Sequence, residues 1–562
     1  MARAGQGSRR PAVERAAVIR HDASSDTVRP RGAWIVFAVC AGAAGAWLRL
    51  HQLDGQILLD DEWHAIHRLL VADVRAIASR LGFADYSIPL TIVDRILYDH
   101  GLLSERWMHW PAAIAGVALL GIAPWLVRRW FALPTLAVFV ALLAIAPLLV
   151  YHSMVARPYA FTALLAPLAI VAFEGWWRER RLRQAAAYVL ATWLAGYLHP
   201  VVLPFVLMPL AYRGLPALLQ ALRGGASRTR PLLRVAAVGI VVAALLGASL
   251  APPIVNDWRQ FSAKAGRDAL TLAGTWHSAA MLAGSAHAAV AVAVFALAAL
   301  GWRRLRSRDA ATARYLLVVN AVAVAAIGAS GIQWIFHPLV YARYLLPALV
   351  FVLLFVAEGL VALIERLRPV ALRPVVAAAA VAGLYLAGPW PAIDYVPNQF
   401  IGHLRFQYDY DAAANPYVTE VPREPVPAFY RELARLPARS VTLVEMPWRL
   451  ESNFNPHPWY QEVHRQDVMI GLVTPVCGER TFGEYAEGRS GLAMRHFIHL
   501  SAMLRGETRG ADYLVVHLRP WKTPPDADVE WPDMTRCLGA IDARFGPPVD
   551  TRDDLVVYRL KR

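Results

Sequence analysis

The chain has 562 residues, 57% of them hydrophobic, and a formal net charge of +15. A soluble protein of this size is less apolar, so the composition excludes a soluble enzyme and points to an integral membrane protein. The arginines sit between apolar stretches in the manner of the positive-inside rule, which argues against nucleic acid as a partner.

Residues 1–32 are polar, basic and rich in Arg, Ala and Ser, and read as a disordered cytosolic tail rather than a cleaved signal peptide. Residues 33–390 then hold about eleven apolar stretches near membrane-spanning length. These lie at roughly 33–51, 107–127, 134–152, 159–175, 185–200, 201–213, 232–252, 286–301, 313–330, 344–364 and 374–390. Basic connections recur at every second position: the tail, Arg128-Arg129, Arg178 to Arg183, Arg213 to Arg234, Arg303 to Arg308 and Arg366 to Arg373. The alternation puts the N-terminus in the cytoplasm and the C-terminus outside. A multi-pass protein of the inner (plasma) membrane is therefore expected, with residues 391–562 on the periplasmic or extracellular side. Trp107, Trp110, Trp176 and Trp177 fit interfacial aromatic belts.

The outer loop 52–106 opens with Asp60-Asp61-Glu62. Apolar residues recur near helical spacing from Trp63 to Leu81 (Ile66, Leu69, Leu70, Val74, Ile77) and again from Ile88 to Tyr98. Both segments read as helices lying in the interface plane. Asp61 and Glu62 either decorate a helix N-terminus or supply a general base at the membrane surface.

Further outer segments carry candidate chemistry. Tyr151-His152-Ser153-Met154-Val155-Ala156-Arg157-Pro158-Tyr159 joins two spans, and Tyr341-Ala342-Arg343-Tyr344-Leu345-Leu346-Pro347 begins another. An arginine on the side where positive charge is disfavoured wants an anion, and its fork matches phosphate oxygens; the alternative is a snorkelling side chain. His199, in Tyr197-Leu198-His199-Pro200, is either a hydrogen-bond partner for phosphate or sugar or an interfacial histidine. Asp257 and Lys264 read as members of a solvated loop, 253–285.

After Pro391 the hydropathy falls. Ser440 to Met446, Asp467 to Val473, Asp512 to Leu518 and Leu555 to Leu560 read as buried strands. Phe429 to Leu436, Gly491 to Leu504 and Trp531 to Arg544 read as helices. A small α/β domain with a mainly parallel sheet is expected over 391–562. Cys40 reads as a packing residue; Cys477 and Cys537 are either bridged or free. His457, His464, His496 and His499 lie in this region. His496 and His499 share a predicted helix, but no third ligand is evident, so no metal site is assigned. No cofactor is expected either.

The acidic pair after the first span, HSMVARPYA after the third, YLHP near the end of the fifth and ARYLLPAL opening the tenth occur in this order. Over residues 33–390 the chain thereby resembles the polyprenyl-phosphate-dependent glycosyltransferases of the GT-C type. Asp61-Glu62-Trp63-His64 is similar to the Asp-Glu motif of protein O-mannosyltransferases and of the aminoarabinose transferases acting on lipid A. Ser87-Ile88-Pro89 stands where such enzymes often carry His-Pro-Pro.

The resemblance implies a polytopic helical fold and a sugar carried on a polyprenyl phosphate, passed to an acceptor (lipid, glycan or protein) outside the cytoplasm. It implies Asp61 as base, with Glu62 beside it, and Arg157 and Arg343 on the donor phosphate, with Tyr159 and His199 close by. Two other readings compete: a transporter or flippase of lipid-linked sugars, and an inactive GT-C scaffold. A transporter would place charges at the midplane, whereas these spans read as nearly free of charge.

Overall fold

A computed structural model describes residues 28–50, 53, 62–82, 87–223, 229–266, 268–285, 287–386, 425–447, 457–473, 476–478, 497–519 and 533–560. Of the expected tail 1–32, residues 1–27 lie outside these residues, as does the expected boundary near 391, while residues 28–32 already belong to the first helix.

The first helix, α1, runs Val28–Leu50. The loop helices follow as α2 (Trp63–Val71), α3 (Val74–Ser79) and α4 (Ile88–Asp99). The predicted helix from Trp63 to Leu81 is thus two helices. Asp73 ends the continuity by accepting the Ala76 amide at 2.7 Å, which starts a new helix.

The membrane bundle continues with α5 (Glu105–Val127), α6 (Leu133–Ile145), α7 (Pro147–Ser153), α8 (Tyr159–Glu179), α9 (Leu182–Leu198), α10 (Leu203–Leu222) and α11 (Arg230–Asn256). It closes with α12 (Trp258–Ala263), α13 (Leu272–Ala283), α14 (Ala288–Arg308), α15 (Ala310–Ala329), α16 (Pro338–Tyr344), α17 (Leu346–Ile364) and α18 (Arg373–Leu386). Among the described residues, 8 helices are long and apolar enough to cross a membrane, or 9 if the bent pair α6 and α7 is one span. The 17-residue α9 and the 14-residue α18 occupy two more of the expected positions but fall short of that length.

The expected third span, 134–152, is not one helix: α6 and α7 meet at 58°. Pro147 lacks an amide hydrogen, so it withholds the bond that the Leu143 carbonyl would accept and ends the helix. Arg49, fully buried at the end of α1, replaces it. Its Nη2 donates to Leu143 O at 2.9 Å, its Nη1 to Ala144 O at 2.9 Å and to Gly45 O at 2.8 Å, and its Nε to Ser153 Oγ at 3.2 Å. The spans are therefore not as free of charge as composition suggests.

Most of α8 and α17 is buried, whereas α1, α11 and α14 present side chains such as Ile35, Val39, Ile240 and Val292 outward, as helices do against hydrocarbon. Helices α14 and α17 approach closely at Gly301 and Gly359, where a Cβ on either glycine would strike the other helix's backbone. One end of the bundle is held by ion pairs. Glu174, fully buried on α8, binds Arg178 at 2.7 Å and Arg213 at 2.8 Å. Glu358, buried on α17, binds Arg304 at 3.0 Å, Arg308 at 2.5 Å and Thr135 Oγ1 at 2.7 Å. Arg213, expected in a basic connection, sits inside α10, which runs on to Leu222.

The C-terminal part holds a five-stranded sheet in the order β3-β2-β1-β4-β5. The strands are β1 (Thr442–Met446), β2 (Asp467–Leu472), β3 (Phe497–His499), β4 (Tyr513–His517) and β5 (Leu555–Arg559). Only the β4–β5 pairing is antiparallel. The expected strands are present, while the expected helix Gly491 to Leu504 is the strand β3 followed by a short helix, Leu500–Leu504; residues 491–496, His496 among them, lie outside the described residues. A helix at His457–His464 was not anticipated. A disulfide joins Cys477 to Cys537, with Cα atoms 5.1 Å apart.

Strand alternation gives β2 two partners. Met469 and Val473 face the sheet's own core. Val468, Ile470 and Leu472 instead join the cluster formed by Ile66, Leu69, Ile77 and Ile88 of the loop helices.

Candidate active site

The site is built at the end of the bundle opposite the ion pairs. Helix α8 begins at Tyr159 and ends at Glu179, a rise of about 30 Å, which is the depth of a bilayer's hydrocarbon core.

Glu62 precedes α2 and is 2% exposed. Its Oε1 accepts the Ala156 amide at 2.5 Å and lies 2.9 Å from His109 Nε2, one turn into α5. A carboxylate in this position ties the acidic segment to α5 and to the turn carrying Arg157. Asp61, the predicted base, lies outside the described residues.

The turn after α7 is tight: the Arg157 amide donates to Val155 O at 2.7 Å, across a single residue. Arg157 is itself buried. Pro158 follows, and α8 starts at once with no side-chain cap. The N-terminus of a long helix thus lies next to the Arg157 turn, and a helix N-terminus suits an anion.

Arg343 arrives from α16. Its guanidinium carbon lies 5.1 Å from the centroid of Tyr159 and 5.4 Å from that of Tyr344. His199, between α9 and α10, closes the group at 5.3 Å from Tyr159 and 5.5 Å from Tyr344. His152 adds a ring at 5.0 Å from Tyr159. Tyr159, His199 and Arg343, predicted from separate motifs, are thus brought into one cluster, and Arg157 sits two residues from Tyr159. Planar rings pack against the guanidinium, and the shape of its fork suits an oxyanion.

The neighbouring loops are pinned by backbone contacts. Asp257, expected to be solvated, accepts the Leu81 amide at 2.8 Å, and Asn256 donates to Ser79 O at 2.8 Å. Lys264 accepts the Gln333 amide through its carbonyl at 3.0 Å. Ser278 Oγ lies 2.9 Å from Pro338 O and fixes the start of α16. Ser87, where histidine was noted as common, is buried before α4, and its carbonyl accepts the Thr91 amide.

Sequence reasoning missed Arg49 and His109, and it gave His152 no role of its own within the Tyr151 to Tyr159 segment. The Ala146-Pro147 step inside an apolar run was a readable sign of a broken span. Nothing local marked His109 as the partner of Glu62, 47 positions away.

No protein-family model matches the chain, and no curated protein matches it. Among solved structures the chain is similar to ArnT from Cupriavidus metallidurans in the apo state, at 15% identity over 94% of this chain and 98% of that chain, with a TM-score of 0.46. It is similar to the same protein bound to undecaprenyl phosphate, at 13% identity over 94% and 98%, with a TM-score of 0.45. The archaeal oligosaccharyltransferase AglB from Archaeoglobus fulgidus, in complex with an inhibitory peptide and a dolichol-phosphate, is similar at 14% identity over 86% of this chain and 69% of that chain, with a TM-score of 0.40.

Proposed function

We propose that this protein is a membrane glycosyltransferase that moves a sugar from a polyprenyl-phosphate donor to an acceptor on the outer side of the membrane. The observation that carries the reading is the cluster of Arg343 with Tyr159, His199 and Tyr344, beside the buried Arg157 and the open N-terminus of α8. A fork held by rings at the rim of a lipid-facing bundle suits a lipid-borne phosphate better than a soluble one.

In this reading the donor's tail stays in the bilayer and its phosphate lies against Arg157 and Arg343. Asp61 takes the proton of the acceptor's hydroxyl as that oxygen attacks the anomeric carbon. The bond from that carbon to the phosphate oxygen breaks, and polyprenyl phosphate leaves with its charge held by the arginines. A single displacement inverts the anomeric centre. Glu62 is the positioning residue, holding the acidic segment against the Arg157 turn. The Cys477–Cys537 disulfide supports an oxidising, extracytoplasmic setting for the C-terminal domain, 391–562.

The test is incubation of the purified protein with radiolabelled polyprenyl-phosphate sugars and membrane extract. Transfer of label is expected with wild type, and Asp61→Asn is expected to lower it by about 100- to 10,000-fold while leaving the protein folded. A wild-type rate in that variant would remove Asp61 from the reaction. Absence of labelled product with every donor would overturn the transferase reading.

A further inference from the structure

A second cluster of ligand-type side chains lies in the C-terminal sheet, and its position follows from topology. Strand β1 continues through the helix His457–His464 to β2 and then β3 on one side, whereas β4 lies on its other side. The β1–β4 crevice is therefore the point where the winding of the parallel strands reverses. Ligands of open α/β sheets gather there, beyond the carboxyl ends of the strands. Glu445 is the penultimate residue of β1 and His517 the last of β4. His457 opens the helix that follows β1.

The donor atoms of Glu445, His457 and His517 all lie within 4.8 Å of one another, and all three residues are buried. His517 Nε2 is 2.8 Å from Glu445 Oε2, and His457 Nε2 is 3.7 Å from the same oxygen. Donor atoms on one tetrahedral zinc ion stand roughly 3.3 Å apart, given bonds of about 2.0–2.1 Å. The two separations bracket that spacing, and the longer one exceeds hydrogen-bond range. The Tyr430 hydroxyl lies 2.7 Å from Glu445 Oε2 and 3.1 Å from His517 Nε2, as a group that orients a ligating carboxylate would. Rings of Tyr460 and His457 pack against His517, at 6.2 and 5.0 Å, and enclose the site.

We propose that Glu445, His457 and His517 bind a divalent transition-metal ion, zinc by donor set, that fastens the carboxyl ends of β1 and β4 to the helix at His457. Two imidazoles and one carboxylate suit zinc and are poor ligands for magnesium or calcium, which take oxygen. A carboxylate taken out of water is costly unless it is paired, and a divalent cation is such a partner. The enclosure makes the role structural. None of its residues belongs to the cluster around Arg343.

The experiment uses the full chain in detergent, purified without a histidine tag. Elemental analysis is expected to find about one zinc per chain, and His457→Ala and His517→Ala are each expected to lose it, while His499→Ala retains it. Because a variant that does not fold also loses zinc, wild type is in addition stripped with a chelator and titrated with zinc chloride by calorimetry and thermal melting. Stoichiometric uptake with a raised melting temperature is expected. Stripped wild type that keeps its circular dichroism and takes up no zinc would overturn the proposal, as would undiminished zinc in both ligand variants. In either case Glu445, His517 and Tyr430 form a hydrogen-bonded cluster only.

Discussion

The Glu62 carboxylate accepts the Ala156 amide at 2.5 Å, and so the acidic segment and the Arg157 turn are held by one side chain, across 94 positions of sequence. The same oxygen meets His109 at 2.9 Å. A neutral amide side chain also offers an oxygen to both groups. Glu62→Gln is therefore expected to fold and to retain transfer, and Glu62→Ala to lose both activity and about 1–3 kcal/mol of stability through the stranded donors. Melting curves and turnover of the two variants check this. A folded but inactive Glu62→Gln would show that the charge itself is needed.

Arg343→Ala is expected to weaken donor binding by about 10- to 100-fold, the worth of a charge-assisted hydrogen bond to phosphate. Arg343→Lys should recover only part of this, because an ammonium neither stacks on Tyr159 and Tyr344 nor offers two parallel donors. Arg157→Ala should behave likewise. Binding of the polyprenyl-phosphate donor to purified variants gives the answer, and unchanged affinity in both alanine variants would end the phosphate assignment.

Arg49→Met is expected to destabilise the bundle by about 1–3 kcal/mol for each carbonyl left without a donor in an apolar setting. The carbonyls at stake are those of Leu143 and Ala144. Ser153 also loses the Arg49 donor, keeping only its own bond to the Leu149 carbonyl, so the turn that carries Arg157 should loosen. Thermal melting in detergent, together with cysteine accessibility probed at position 156, measures both effects. A variant as stable as wild type would mean that water replaces the guanidinium there.

His464 lies outside the membrane segments, and burial lowers its pKa from 6.5 to about 3. The unfolded chain then binds a proton that the folded one refuses between those values. The sign follows: no penalty above pH about 6.5, a growing loss of stability as pH falls, and a constant loss below about 3, with a slope near 1.4 kcal/mol per pH unit inside the window. His464→Gln should flatten the acid limb of a melting-temperature profile. An unchanged limb would place the acid sensitivity elsewhere.

The cluster of Tyr159, His199 and Arg343 was in large part legible in the sequence. An arginine at the outer end of a span has few reasons to be there, and Arg157 and Arg343 were found on that ground. Tyr159 and His199 came with the same motifs. What could not be read was pairing over distance. Arg49 looks like any arginine at a span end, because its acceptors are backbone carbonyls released by a proline 98 positions later, and no residue type marks them. The helix expected at Gly491 to Leu504 failed at Phe497, where three residues suffice for a strand because β2 already offers a paired edge. Glu445 and His517 were hidden for a related reason. Each lies at or next to the end of a short apolar strand, but only the sheet's parallel register sets the two ends side by side.

The outward face of β2 sits in the same apolar cluster as Ile66 and Leu69, a few residues from Asp61 and Glu62. A lever is thereby built in: whatever presses on the C-terminal sheet leans directly on α2, the helix that Glu62 precedes. The seating of that sheet and the positioning of Glu62 are then one mechanical event, and cutting the sheet away is expected to unseat Glu62 even with every membrane span intact.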